Sequence, residues 1–414
     1  MRERCKFFLP YEMPKEGAKM KRRLTICLVV TALTLVSGAV YAKDVVVGAI
    51  TSLDNEYYVN WNKGAEQCAE ALGLDHKSLV DEASAARQME IYETQIQAGV
   101  KLFFGTSPFT GNIPIITKKV KEANALYVGI WDSVPWYHPM DVGGFHYAAY
   151  FAPDDFENAY QLAKAMFKKI GGKGNLAHIT GYAGATVDSL RTEGIDKALK
   201  EFPEIKLLGR QPGKWTQVES RKVMEDFLVA YPKIDVVYGQ NDSEGIGALQ
   251  AIEDARMKMV PICGMDGISE VMSLIREGRF FGTASYGPGW QAGYAVVRLY
   301  DVKHGWKPHP LERMMFTGAA LVKKDNVDRY VNYLYGKPKL PFNWTKMSRT
   351  LHPEDWDPQN YVWPIDLDYL WGRYKDKKPK GYELPKEYRD AMAKGEFDRI
   401  KKMYLSHYKV RIPE

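Results

Sequence analysis

Nine side chains have the types that can hold a polyhydroxylated molecule: Asn55, Tyr57, Tyr58, Asp132, Arg191, Trp215, Asn241, Asp266 and Tyr286. Asp, Asn and Arg pair with hydroxyl groups, and charged partners strengthen those bonds inside a closed site. Flat Tyr and Trp rings can cover the apolar C–H face of a sugar ring. Aromatic walls with a few placed polar groups describe a pocket for a small polyol. The spacing adds to the residue types, because each position follows a short apolar run in the same sense. Thr106-Ser107 and Gly181-Tyr182 stand at equivalent places. In open α/β sheets, ligands bind beyond the carboxyl ends of the strands.

The elements that would position these residues are most legible in residues 234–255, IDVVYGQNDSEGIGALQAIEDA. An apolar run from Ile234 to Tyr238 reads as a buried parallel strand. A polar turn of Asn241, Asp242 and Ser243 follows, with Ser243 the expected N-cap of a helix carrying Ile246, Leu249 and Ile252. The same period runs from Val45 onward. Strands are expected at Val45–Ile50, Leu79-Val80, Val100–Phe104 and Leu126–Ile130, with helices between them. A looser aromatic and Gly-rich passage, 131–151, interrupts the pattern. It resumes with strands at Leu176–Thr180, Ile205–Leu208, Val260–Cys263 and Gly282–Ser285, and with helices at Val187–Phe202, Val218–Tyr231, Ser269–Glu277 and Gln291–His304. Strand–helix alternation implies parallel sheets covered on both faces, and the interruption splits them into two. Past Tyr330 the period stops. Residues 331–414 are rich in Trp, Tyr, Pro and Lys, with a last helix expected over Lys386–Tyr404.

Charge excludes an electrostatic case for nucleic acid. The first 42 residues hold eight Lys/Arg against three Asp/Glu, which leaves about +1 of the total +6 for the rest. Those residues carry an export signal: a basic Lys21-Arg22-Arg23, an apolar Leu24–Val36, and a small-x-small site at Val40-Tyr41-Ala42. Cleavage after Ala42 is expected, giving a periplasmic chain. Cys68 and Cys263 then remain, and both are expected as buried free thiols. Gly171-Gly172-Lys173-Gly174 precedes a strand, whereas a phosphate loop follows one. His138, His146, His304, His309 and His352 lack metal-ligand spacing and most of them read as surface loop residues, and no cofactor is expected. An exported hydrolase using Asp132, Asp266 and Glu56 stays open on residue types alone.

The chain from Lys43 to Val322 resembles the type I periplasmic binding proteins of sugar ABC transporters, the ribose-binding group. The stretches that carry the resemblance are TSLDNEYYVNWNKGAEQCAEALG (51–73), GYAGATVDSLRTEGI (181–195), VVYGQNDSEGIGALQAI (236–252) and CGMDG (263–267). It implies two doubly wound lobes joined by a three-segment hinge, 44–151 with 287–317 and 152–286 with 318–330, plus the extension 331–414. Ligand-binding positions fall on Asn55, Tyr57, Tyr58, Asn241 and Asp266, on Arg191 three residues before Gly194, and on Trp215 after Gln211-Pro212. The implied protein is a monomeric, non-enzymatic solute carrier serving an ABC transporter permease; a periplasmic sensor docking on a membrane receptor is the alternative. Three positions depart from the family. Trp131-Asp132-Ser133 replaces Asp-Arg, Tyr286 stands where ribose binders have Gln, and Glu56 replaces a common Pro.

Overall fold

A computed structural model describes residues 43–412; the expected export signal lies outside them. The chain alternates through β1 (Val45–Ile50), α1 (Glu56–Ala71), β2 (Asp75–Val80), α2 (Ala85–Gln97), β3 (Leu102–Gly105), α3 (Asn112–Glu122), β4 (Leu126–Ile130) and β5 (Tyr147–Pro153). It continues with α4 (Asp155–Lys169), β6 (Lys173–Thr180), α5 (Thr186–Glu201), β7 (Glu204–Pro212), α6 (Gln217–Ala230), β8 (Val236–Gly239), α7 (Asp242–Asp254), β9 (Ile262–Asp266), α8 (Ser269–Glu277) and β10 (Gly282–Ser285). The remainder is α9 (Pro288–Lys303), β11 (Met314–Thr317), β12 (Ala320–Lys323), α10 (Val327–Leu334), β13 (Val362–Pro364), α11 (Leu367–Trp371), α12 (Lys386–Ala393) and α13 (Glu396–His407).

The strands form two sheets, ordered β13-β11-β5-β4-β3-β1-β2 and β12-β10-β9-β8-β6-β7. All pairings are parallel except β11 with β13 and β10 with β12. Apolar runs such as VVVGAI and VVYG are what a sheet covered on both faces requires. Helices lie over each sheet, giving two α/β lobes. The chain passes between the sheets after β5, after β10 and after β11, as the three-segment hinge anticipated. It then passes a fourth time, because β13 of the C-terminal segment joins the first sheet. The tryptophans of that segment are packed: Trp344, Trp356 and Trp371 are buried, and Trp363 is partly so.

Several boundaries differ from the sequence reading for identifiable reasons. The aromatic passage contains β5, whose seven residues are all buried; the positive-φ pair Gly143 and Gly144 ahead of it disguised the strand. Strands β11, β12 and β13 are only three or four residues long, too short to show a period. Asn241, not Ser243, caps α7. Its Oδ1 accepts the Glu244 amide at 2.8 Å, while Glu244 reaches back to the Asn241 amide in a capping box. The expected last helix is two, broken at Gly395, whose φ of 69° suits glycine. Cys68 and Cys263 are buried and free. His138 is fully buried, not a loop surface residue. It accepts from Trp371 Nε1 at 3.1 Å, and its Nδ1 lies 2.9 Å from Asp141.

Candidate functional site

Chain turns at the carboxyl ends of the strands converge between the two sheets. On the first lobe, Asn55 caps α1 by accepting the Tyr57 amide at 2.9 Å, so Tyr57 and Tyr58 stand in its first turn. Tyr57 is fixed at both sides of its hydroxyl. It accepts from Trp131 Nε1 and donates to Gln291 Oε1 at 2.8 Å. Burial pushes its hydroxyl, and that of Tyr58, well above the usual phenol range, so both remain neutral donors. Trp131 closes β4 with a left-handed φ of 69°. Its ring meets Tyr57 edge-on at 5.9 Å and Tyr286 at 4.9 Å.

On the second lobe, α5 carries Val187 and Arg191 one turn apart. The Arg191 guanidinium donates from Nε to Asp155 at 2.8 Å and from Nη1 to the Gln240 carbonyl at 2.5 Å. It also sits 5.2 Å from the Trp131 ring, so this cation touches an aromatic of the opposite lobe. Trp215 takes φ 56° and packs its ring where only glycine leaves room. A Cβ on Gly181 would lie 2.2 Å from it. The capping box that sets Asn241 also holds Trp215, since Glu244 accepts the Trp215 amide at 2.9 Å. Asn241 Nδ2 donates to the Trp215 carbonyl at 3.3 Å. Asp266 ends β9 at φ 142°. Three cavity residues therefore hold uncommon backbone conformations, the kind of strain found at ligand sites.

Together these residues line a cavity bounded by Asn55, Tyr57, Tyr58, Thr106, Pro108, Trp131, Asp132, Val187, Arg191, Trp215, Asn241 and Asp266. Eight of the nine expected positions are on that wall. Tyr286 is the correction: it is fully buried behind Trp131 and faces the Arg191 guanidinium at 5.8 Å instead of the cavity. The reason is that the αL glycine Gly287 turns the chain at once into α9. Sequence reasoning missed Pro108 and Val187, which carry no polar signal. Trp131 stood beside Asp132 in the turn but was not taken as a binding position.

The acid–base balance is uneven. Burial, reinforced by repulsion from Asp155, raises the Asp132 carboxyl to about 7. Burial likewise raises Asp155 to about 6 against its Arg191 partner. Asp266 is pushed well up by burial and by Asp242. Behind the wall, Asp242 accepts the amides of Gly267 and Ile268, at 2.7 and 3.0 Å. Contacts across the cleft mouth are already made. Glu56 accepts the Ser269 amide at 2.9 Å, and Thr186 Oγ1 donates to the Ser133 carbonyl. No group of three or more His, Cys, Asp or Glu among the described residues could hold a metal. No helix among them is long and apolar enough to cross a membrane.

Two α/β lobes closing over an aromatic and polar cavity define a solute-binding protein of the type I periplasmic class. Residues 46–305 match the model of the periplasmic binding protein domain, and the chain belongs to that family. It is 33% identical over 189 residues to a xylitol-binding protein of Mycolicibacterium smegmatis, a match covering 44% of this chain and 52% of that one, about half its length. A D-apiose import binding protein of Paraburkholderia graminis is 24% identical over 314 residues, covering 75% of this chain and 96% of the relative. Among solved structures, a twin-arginine translocation pathway signal protein from Burkholderia phytofirmans superposes with a TM-score of 0.68 at 26% identity, covering 73% of this chain and 95% of that one.

Proposed function

We propose that this protein is an exported solute-binding protein that captures a monosaccharide, sugar alcohol or cyclitol between its lobes and delivers it to an ABC transporter permease. The observation that carries this reading is the cavity wall itself. Four aromatic rings, Tyr57, Tyr58, Trp131 and Trp215, surround polar groups contributed by both lobes. Asn55 and Asp132 come from the first lobe; Arg191, Asn241 and Asp266 come from the second. A ligand that bonds to both sides favours closure by its differential affinity for the closed form. The names of the xylitol and D-apiose binding relatives agree with a small neutral polyol. We assign residues 44–151 with 287–317 to the first lobe and 152–286 with 318–330 to the second, and take the working form as a monomer starting at Lys43. The carrier has no chemical step, and the cavity carboxylates act as hydroxyl acceptors, not as catalysts.

Calorimetry of the mature chain against pentoses, hexoses, pentitols, hexitols and inositols tests the proposal. Binding of at least one with micromolar or tighter affinity is expected. Failure of every polyhydroxylated compound would overturn the reading of the cleft.

A further inference from the structure

The charges inside the cleft narrow the class of ligand, an inference that rests on the function just proposed. Among the described residues Arg191 is the one cation on the cavity wall, and it is already engaged by Asp155 and by the Gln240 carbonyl. Asp132 and Asp266 share that wall from opposite lobes and are 4% and 6% exposed. Neither forms an ion pair among the described residues. Asp132 Oδ1 is buried without a hydrogen-bond partner. Behind them stand Asp242 and Glu244, both fully buried.

We propose that the cleft rejects polyols bearing a carboxylate or phosphate, admits neutral or amino-bearing ones, and owes this choice to Asp266. Burial and neighbouring carboxylates already raise the Asp132 and Asp266 carboxyls; an anionic ligand would add its charge to a desolvated site that resists holding the negative charge it has, and like charges brought together there repel strongly. An ammonium group meets the opposite field, and aromatic walls also attract cations.

The test compares xylitol, 1-amino-1-deoxyxylitol and xylonate, and the matching glucitol, 1-amino-1-deoxyglucitol and gluconate series, by calorimetry at pH 7.5. In any series that binds, the acid should be at least 30-fold weaker than the alcohol, and the amine should retain binding. Asp266→Asn should narrow the acid-to-alcohol ratio at least tenfold, whatever it does to the alcohol alone. An acid within 30-fold of its alcohol, an amine rejected as strongly as the acid, or an unchanged ratio in Asp266→Asn overturns the inference while leaving the proposed function standing. If none of these compounds nor any other polyol binds, the proposed function falls and this inference with it.

A separate set of contacts concerns the C-terminal segment. It touches each of the first three places where the chain crosses between lobes. Tyr369 Oη donates to Asp154 Oδ2 at 2.9 Å, beside the first crossing. Ile412 packs beside Gly287 at the second, where an added Cβ would lie 3.6 Å from its Cδ1. At the third, the Tyr361 carbonyl accepts the Gly318 amide at 2.7 Å. The segment also bridges the cleft flanks through neighbouring residues. The Tyr374 carbonyl accepts Trp136 Nε1 of the first lobe at 2.8 Å. Arg373 pairs with Glu193 on α5 of the second lobe at 3.5 Å and lies over the Phe156 ring at 3.9 Å.

We infer that residues 361–377 form a strap that biases the lobes toward the closed arrangement before ligand arrives. Opening separates the turn after β4 from α5, and the strap must then release either Trp136 or Glu193. Small-angle scattering of the full mature chain, with and without the polyol found in the screen, reads this directly. The wild type should change its radius of gyration little on binding. Arg373→Ala should be more open without ligand, and its association and dissociation rates by stopped-flow Trp fluorescence should both rise at least fivefold. Hydrogen exchange of the wild type should show residues 369–377 equally protected in both states. A wild type that is wide open without ligand, unchanged rates in the variant, or a strap protected only with ligand overturns the inference.

Discussion

Arg191 and Asp266 both line the cavity, yet the structure separates what their removal should do. Arg191 belongs to a buried ion pair, so Arg191→Ala leaves Asp155 as an uncompensated charge in a site where its second oxygen already has no partner. Breaking such a pair costs about 3–5 kcal/mol. Arg191→Ala should therefore lower the unfolding free energy by about that amount, besides abolishing binding. Asp266 forms no ion pair among the described residues, and Asp242 repels it more strongly than Arg191 attracts it, so its loss removes net repulsion. Asp266→Ala should keep or raise thermal stability while weakening the ligand by roughly 30-fold or more, from a loss of about 2–5 kcal/mol. Urea denaturation and calorimetry on both variants check the contrast; equal stability losses would contradict it. From the sequence alone both variants look like pure binding defects, because the Asp155 partner lies 36 residues away in the chain and no local spacing announces it.

Asp132 supplies a pH dependence with a definite sign. Burial raises its carboxyl from 3.8 to about 7. Between roughly pH 4 and 7 the folded protein then holds a proton that the unfolded chain releases, and stability falls as pH rises through that window. The buried His178, lowered to about 3 by burial, works the other way below pH 6.5, so the whole-protein profile mixes both signs. Asp132→Asn isolates the contribution. In the ligand-free protein, the melting temperature of the variant relative to wild type should increase from pH 5 to pH 8. A difference that shrinks or stays flat would show that Asp132 keeps an ordinary carboxyl.

At the scale of elements, the βα units were readable wherever a strand and its helix each ran long enough to show a period. β8, α7, α8 and β10 fall where the apolar spacing places them, and their turns deliver Asn241 and Asp266. Less readable was how closely the helices meet. Helices α1 and α9 cross with Gly64 against Gly289, where a Cβ on Gly64 would lie 1.8 Å from the Gly289 carbonyl oxygen. Both glycines sit inside helices, where glycine itself costs stability, so their use reflects backbone contact. That contact sets the position of Tyr57 through its bond to Gln291 of α9. Gly64→Ala should force the helices apart at a cost of about 1–3 kcal/mol or more, and Tyr57-side contacts should loosen with it. Chemical denaturation together with ligand affinity tests this. A variant as stable as wild type would mean that the crossing can relax without strain.

For the whole molecule, the C-terminal segment is where sequence said least and structure adds most. Its composition indicated large rings that would not stay in water, but no period showed where they would go. They complete the first sheet and cover α9. Trp344 packs on Gly293, which has no room for a Cβ; Trp371 binds His138; and the Trp290 indole donates to the Pro358 carbonyl at 2.7 Å. Arg349 and Asp301 tie the segment to the same helix, with Asp301 accepting the Arg349 amide at 2.9 Å. Each buried ring is worth about 1.5–3 kcal/mol relative to exposure. Removing Trp344, Trp356 and Trp371 together costs about 4.5–9 kcal/mol before the surface they hide is counted, which is comparable with the whole margin of about 5–15 kcal/mol by which a domain is ordinarily stable. A chain truncated after Tyr330 should consequently fail to reach a cooperative fold, appearing as aggregate or as a species without a sharp thermal transition, although it keeps all twelve described cavity-lining residues. Recovery of a soluble truncated protein with the wild-type melting temperature would show that the lobes are self-sufficient and the segment only decorates them.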